Sequence, residues 1–148
     1  MKQAFVQATL PKDEIYFLKP PPGCLRSKPG EHWRLLRSLY GLKRASRLWF
    51  EKMKSFLLSI GFHSCDNHPC LFVGNLIDGN TPINVGLYVD DIIYFSPSDA
   101  VEHHFESLLS QFVQVEFTGQ VSHFLGIEFN WPFHVDGNIC YTHTTVLC

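Results

Sequence analysis

Residues 84–95, with the sequence NVGLYVDDIIYF, constrain the fold more than any other stretch, because two adjacent aspartates interrupt an apolar, β-prone run. A single strand here would be unusually long, and it would send Asp90 and Asp91 to opposite faces of a sheet. A turn in the middle of the run removes both problems. The segment therefore predicts a hairpin of two short strands, residues 85–88 and 92–95, with both carboxylates at its tip.

The two carboxylates at this tip predict a cation site. Negative charges held close together repel each other, and a cation between them removes that cost. Hard divalent ions such as Mg²⁺ prefer carboxylate oxygens as ligands. The alternative is an ordinary solvent-exposed Asp-Asp turn. The aromatic and aliphatic residues on both sides should hold the turn rigidly, which favours a metal site at Asp90 and Asp91.

The net charge of −2 hides an asymmetry between the two parts of the chain. All 12 Lys and Arg lie in residues 1–54 together with four acids, whereas residues 55–148 hold ten acids and no Lys or Arg. This separation suggests a groove for a polyanion beside a cation site. The alternative is two solvated faces that neutralise each other on folding. Under the first interpretation the candidate nucleic-acid contacts are Arg34, Arg37, Lys43, Arg44 and Arg47.

Two stretches, residues 46–60 and 97–112, repeat apolar side chains at the spacing of one helix face. Ser46 suits a helix N-cap, Gly61 a helix stop, and Pro97 the first position of the second helix. Strands are predicted at residues 71–77, 83–88, 92–95, 115–117 and 124–129, and a last hairpin turns at 136–138. The order predicts an α+β fold in which both helices cover one face of an antiparallel sheet. This split βαβ arrangement serves many functions.

Composition indicates one intracellular domain over residues 1–148. Hydrophobic residues make up 45% of the chain and charged residues 18%, as in ordinary globular proteins. No apolar run is long enough to span a bilayer, so no membrane partner is expected, and the N-terminus lacks a signal-peptide pattern. The five cysteines are irregularly spaced and do not suggest a disulfide framework. We therefore expect the protein in the cytoplasm or nucleus.

A second group of potential metal ligands lies between the first helix and the next predicted strand. His63, Cys65, His68 and Cys70 have residue types suited to zinc. Their spacing is too compressed for the usual finger pattern, and no second pair follows nearby. The spacing therefore argues against zinc.

Several short motifs occur in one collinear series: KQAF at residues 2–5, LRSLYGLK at 36–43, HPCLF at 68–72, YVDD at 88–91 and FLGIE at 124–128. Each alone is weak, but together and in this order they resemble the reverse transcriptase (RNA-directed DNA polymerase) of copia-type LTR retrotransposons. The resemblance covers nearly the whole chain and implies a polymerase palm. It also implies a place within a retrotransposon polyprotein.

The resemblance implies roles for individual residues. Asp90 and Asp91 would be catalytic and would provide two of the three carboxylates that hold two Mg²⁺ or Mn²⁺ ions. The residues implied to bind the deoxynucleoside triphosphate (dNTP) are Phe5, Tyr40, Gly41, Lys43 and Tyr88. The residues implied to contact the RNA or DNA template-primer are Arg34, Arg37, Arg44, Arg47, Phe124, Leu125 and Gly126. The alternatives are a core residue for Phe5, a helix-capping loop for residues 40–43 and a core strand for residues 124–126.

Some positions depart from the family pattern. No aspartate precedes the KQAF motif, where the third metal-binding carboxylate belongs, and Arg44 and Ser46 replace the family's Gln and Pro. We therefore expect a palm fragment, without the N-terminal fingers region, thumb, RNase H or integrase, that is inactive alone. The alternatives are a domesticated, non-catalytic nucleic-acid-binding domain and a transposon relic without function.

Overall fold

The computed structural model describes residues 3–28, 30–129, 133–135, 138–140 and 145–146, with side chains in the first two ranges. Its helices are α1 (Ala45–Ser59) and α2 (Asp99–Phe112), and a 3₁₀ turn covers Phe5–Gln7. The strands of the main sheet are β3 (His63–Cys65), β4 (His68–Asn75), β5 (Pro82–Tyr88), β6 (Asp91–Phe95) and β11 (Thr145–Val146). The remaining strands form three small ribbons: β1 (Phe17–Leu18) with β2 (Trp33–Arg34), β7 (His123–Phe124) with β8 (Ile127–Glu128), and β9 (Phe133–Val135) with β10 (Asn138–Cys140).

The main sheet has five antiparallel strands in the order β11-β6-β5-β4-β3. Alternate side chains of its three central strands are buried on one face, as strand geometry requires. These residues are Phe72, Ile83, Val85, Leu87, Ile92 and Tyr94. They form one hydrophobic cluster with buried side chains of both helices, including Trp49 and Phe105. The predicted α+β fold, with two helices against an antiparallel sheet, is confirmed.

Helix α1 begins one residue before the predicted N-cap. Arg44 occupies the cap position without a side-chain cap bond, so the prediction of Ser46 as N-cap was wrong. A backbone turn, in which the amide of Ala45 donates to the carbonyl of Leu42, leads directly into the helix. Gly61 ends the helix in the left-handed conformation at φ +92°, as predicted.

Helix α2 begins later than predicted. Asp99 is its first residue and Ser98 occupies the cap position, so Pro97 precedes the helix and was wrongly assigned to its first turn. The buried carboxylate of Glu102 accepts a hydrogen bond from the backbone amide of Ser96 at 2.7 Å. This contact satisfies a buried donor at the helix entrance.

The strand predictions after α2 were partly wrong. Residues 115–117 form no strand, and residues 124–129 form the β7–β8 hairpin instead of one strand. Leu125 and Gly126 are both left-handed, at φ +53° and +77°, which is the backbone of a two-residue hairpin turn. The predicted last hairpin is confirmed in its pairing of β9 with β10. Its turn at residues 136–137, and most of the strand expected after it, lie outside the described residues.

Candidate active site

The two aspartates lie at the end of the β5–β6 hairpin. Tyr88 and Asp91 form its last residue pair, and Val89 and Asp90 make the turn between them. The predicted bent ribbon is confirmed, with longer strands than expected and with Asp91 as the first residue of β6. Both carboxylate side chains are half-buried. The hairpin therefore presents neighbouring acids at one tip of the sheet.

Val89 carries backbone strain at this tip. Its φ is +53°, a conformation that β-branched residues rarely adopt. The side chain is 47% exposed, so core packing does not hold it. The two-residue turn requires a left-handed residue at this position, and the paired strands impose it. Such strain costs about 1–3 kcal/mol and concentrates at functional sites.

Tyr40 lies against Asp90. Burial raises the pKa of the Tyr40 hydroxyl above its ordinary value, and the neighbouring Asp90 charge raises this pKa further. The Asp90 carboxylate lies near the phenol oxygen, and the Tyr40 side chain is 49% exposed. Tyr40 therefore lies beside one of the two acids. Nothing in the local sequence indicates this contact, because its partners are 50 positions apart.

Phe5 packs against Tyr40, and the two rings form a wall beside Asp90. It is 9% exposed, and its ring centroid lies 4.5 Å from that of Tyr40 with the planes tilted by 43°. Backbone pairing brings the two segments together, because the Ser38 amide donates to the Ala8 carbonyl at 2.8 Å and Thr9 pairs with Arg37. Phe5 thus packs on Tyr40, which in turn lies beside Asp90, one of the predicted metal ligands.

Gly41 and Lys43 follow Tyr40 in the loop before α1, and both are exposed. Gly41 is left-handed at φ +95°, and an added Cβ would meet no atom within 4 Å. The requirement for glycine here is therefore conformational, and the space beside it is open.

Tyr88 joins the aspartate turn to the β7–β8 hairpin. It is 50% exposed, and its ring meets the Phe124 ring edge-to-face at a centroid distance of 6.5 Å. Leu125 and Gly126 form the adjacent hairpin turn and are also exposed. The predicted primer-contacting residues are therefore next to the YVDD segment. The turn geometry that puts them there was not predicted.

The four predicted nucleic-acid-binding arginines are exposed but differ in their partners. Arg44 forms an ion pair with Glu14, and Arg47 pairs with Glu51 one helical turn away at 2.7 Å. Arg34 lies on the β1–β2 ribbon opposite Phe17. Within the part of the chain that the structure describes, none of these arginines pairs with Asp90 or Asp91. The structure thus does not gather them at the aspartate turn.

The aspartate pair fits the donor set of a divalent ion that also binds a substrate. Mg²⁺ in proteins is commonly held by one or two carboxylates together with substrate phosphates and water. Over residues 3–28 and 30–129, no three His, Cys, Asp or Glu side chains group to hold a metal. These ranges include residues 63–70, where His and Cys side chains suited to zinc occur. Among these residues, Asp90 and Asp91 therefore supply two carboxylates. Substrate phosphates and water would supply the remaining oxygen ligands of an ion.

No helix among the described residues has the length and apolar character needed to cross a membrane.

Comparisons with known proteins agree on one family. The family model described as reverse transcriptase (RNA-dependent DNA polymerase) matches residues 1–139. A retrovirus-related Pol polyprotein from transposon RE2 of Arabidopsis thaliana is 35% identical over 128 residues, which is 86% of this chain and 9% of that protein. A putative transposon Ty5-1 protein of Saccharomyces cerevisiae is 32% identical over 126 residues, 84% of this chain and 40% of that protein.

A third relative is also a transposon Pol polyprotein. The retrovirus-related Pol polyprotein from transposon TNT 1-94 of Nicotiana tabacum is 29% identical over 128 residues, or 86% of this chain and 10% of that protein. The chain thus spans about a tenth of the plant polyproteins and less than half of the yeast protein. No solved structure matches the chain.

Proposed function

Since the chain belongs to the reverse transcriptase (RNA-dependent DNA polymerase) family, we propose that it forms a single palm-like domain that contributes to template-directed DNA synthesis. The observation that carries this proposal is the contact of Phe5 with Tyr40, which lies beside Asp90 at the tip of the aspartate hairpin. This contact joins three of the family's motifs at one place. The chain would act as part of a retrotransposon Pol polyprotein, as its relatives' names suggest.

Asp90 and Asp91 would hold the divalent ions on which polymerases of this family rely. We assign them Mg²⁺ or Mn²⁺, two ions in the complete enzyme, because both aspartates offer hard oxygen ligands. The chemistry that such ions supply is activation of the primer 3′-hydroxyl and stabilisation of the leaving pyrophosphate. The protein's own contribution is a rigid turn that keeps both acids together.

The wall beside the acids would bind the dNTP. The phenol of Tyr40 lies beside Asp90, and the Phe5 ring packs against the Tyr40 ring. An aromatic floor here would exclude a 2′-hydroxyl by occupying its space, which is how a polymerase selects deoxynucleotides. Gly41, Lys43 and Tyr88 are exposed around this wall and are the further nucleotide contacts we propose.

Template and primer would lie across the basic part of the chain. The exposed Phe124 hairpin beside Tyr88 would support the primer end, and Arg34, Arg37, Arg44 and Arg47 would contact phosphates. A reaction with these partners would take place in the cytoplasm or nucleus, where nucleic acid and dNTPs occur together.

Calorimetric titration of Mg²⁺ and Mn²⁺ into the protein tests the metal assignment. The parent chain should give a saturable heat, and Asp90→Asn/Asp91→Asn should lose it. A matched control is Asp13→Asn/Asp66→Asn, which removes two exposed acids elsewhere and should retain the heat. Equal heats for all three proteins would refute the proposal.

A non-catalytic nucleic-acid-binding domain is the second candidate. It is favoured by the concentration of all 12 Lys and Arg in residues 1–54. This candidate predicts salt-sensitive binding of RNA or DNA that charge reversal at Arg34 and Lys43 weakens. It also predicts that Asp90→Asn/Asp91→Asn changes neither metal binding nor nucleic-acid binding, which separates it from the polymerase assignment.

A further inference from the structure

A polar cleft lies on the other side of the 3₁₀ turn that carries Phe5. It is open to solvent, has a volume of about 460 Å³ and is lined by the turn, by Arg37, by Lys52 of α1 and by the end of α2. The Gln7 side chain ties two of these walls together: its Oε1 accepts from the Gln114 amide at 2.8 Å, and its Nε2 donates to the Gln114 carbonyl at 3.0 Å. The cleft is therefore built from fixed walls.

Two cations line this cleft, and no anion among the described residues pairs with either of them. Lys52 Nζ donates to the Gln7 carbonyl at 2.7 Å and lies 5.1 Å from the centroid of the Phe112 ring, and both of these partners are neutral. The Arg37 guanidinium makes no hydrogen bond or ion pair with any side chain that the structure describes. No Asp or Glu is among the described residues that line the cleft.

The two charges act on each other. Burial lowers the pKa of Lys52 below its ordinary value, and the neighbouring Arg37 charge lowers this pKa further. Holding two like charges together is costly, and a bound anion removes the cost. An occupant would also meet neutral donors from Gln3, Gln111 and Thr9.

We propose that the cleft between Arg37 and Lys52 is a binding site for a phosphate-class oxyanion. Arginine offers a planar fork of donors that matches phosphate oxygens, and lysine adds a compact positive charge. The volume admits a phosphate, a pyrophosphate or one phosphodiester group of a polynucleotide. Phosphate free in solution and phosphate on a nucleic-acid backbone share this chemistry, and a titration with each source distinguishes them.

The cleft lies outside the proposed metal site. It shares the Phe5–Gln7 turn with that site, but its lining contains neither Asp90 nor Asp91. Arg37 is also one of the proposed template contacts, so binding of a backbone phosphate here rests on that proposal, whereas binding of free phosphate does not depend on it. The cleft could bind phosphate even if the two aspartates bind no metal.

The test is a phosphate titration at constant ionic strength, followed by the backbone amide signals of Gln7, Lys52 and Gln114 in NMR spectra. We expect saturable shifts in the parent chain. In Arg37→Gln/Lys52→Gln the phosphate affinity should fall by roughly tenfold or more, since two charge-assisted hydrogen-bond donors are lost. The matched control is Lys54→Gln, which removes one charge from the same helix outside the cleft lining and should stay within about twofold of the parent.

Two further variants keep the test independent of folding. Arg37→Gln removes a side chain without described hydrogen bonds or ion pairs, so its melting temperature should match that of the parent. Lys52→Arg keeps the positive charge and should retain saturable binding. If Arg37→Gln binds phosphate as the parent does, the proposal is wrong.

A parallel titration with a short RNA–DNA duplex identifies the source of the phosphate. A weaker duplex affinity in Arg37→Gln/Lys52→Gln, together with competition by inorganic phosphate, assigns the site to the nucleic-acid backbone. An unchanged duplex affinity with a weakened phosphate titration assigns it to free phosphate. Equal responses of Lys54→Gln and the double variant in both titrations would refute a defined site.

Discussion

Two buried glycines in neighbouring strands should respond differently to the same added methyl group. A Cβ on Gly74 would lie 2.8–2.9 Å from three ring atoms of Phe62, which is closer than Cβ atoms approach other atoms in proteins. A Cβ on Gly86 would lie 2.9 Å from the Cγ2 methyl of Ile93 and at an ordinary 3.5 Å from Leu71. The two sites thus differ in which neighbour must move.

The Phe62 ring has little room to move. It is 3% exposed, and its centroid lies 5.7 Å from that of Phe105, which is fully buried. Overpacking of this kind costs about 1–3 kcal/mol. Ile93 is only half-buried, so its side chain can shift toward solvent. In both variants the smaller entropy of the unfolded alanine chain offsets about 0.4–1 kcal/mol.

We therefore expect Gly74→Ala to lower the free energy of unfolding by about 2 kcal/mol and the Tm by roughly 4–8 °C. Gly86→Ala should stay within about 1 kcal/mol of the parent. Urea unfolding followed by circular dichroism measures both, and equal m-values would show that the compared states are the same. A Gly86→Ala variant that is as unstable as Gly74→Ala would refute the reasoning about which neighbour can move.

Three further predictions concern the aspartate turn and one remote loop. Val89→Asn should raise the free energy of unfolding by about 1 kcal/mol, because asparagine tolerates φ +53° better than valine, and an unfolding curve that moves the other way would contradict strain at this position. Tyr40→Phe should weaken Mg²⁺ binding by roughly tenfold in calorimetry with little change in Tm, since only the hydroxyl beside Asp90 is lost. Hydrogen bonds from the Thr81 side chain, then from the Thr81 and Asn80 amides, lower the pKa of Asp78 from 3.8 to about 2. Because the folded-state pKa is the lower one, its stabilisation is complete above pH 3.8 and is lost as the pH falls toward 2, so Asp78→Asn should flatten the parent's loss of stability over that interval in acid-unfolding curves.

Patterns within one segment predicted the fold well. The two helices and the aspartate hairpin follow from apolar spacing and from charges inside a β-prone run, and both depend on residues close together in sequence. The turn at Val89 was also predicted, although valine is a poor turn residue, because no other arrangement keeps Asp90 and Asp91 together. The alternation of side chains along a strand therefore predicted this turn correctly, although the turn propensity of valine argues against one.

The errors arose where neighbouring structure overrides a local preference. Serine is a good N-cap residue, but the backbone turn between Leu42 and Ala45 starts the helix before Ser46. The segment FLGI, residues 124–127, has the composition of a strand. Gly126 nevertheless permits a hairpin turn, which hydrophobic periodicity does not reveal. Contacts between distant segments, such as Tyr40 with Asp90, leave no trace in local sequence at all.

The 3₁₀ turn Phe5–Gln7 has a consequence for how the two proposed sites would behave together. Its first residue packs on Tyr40, which lies beside Asp90, and the side chain of its last residue is hydrogen-bonded to Gln114, just beyond the end of α2, in the oxyanion cleft. Any shift of this short segment changes both pockets at once. Occupancy of one pocket should therefore alter the affinity of the other, and thermodynamic reciprocity requires the effect to be equal in both directions.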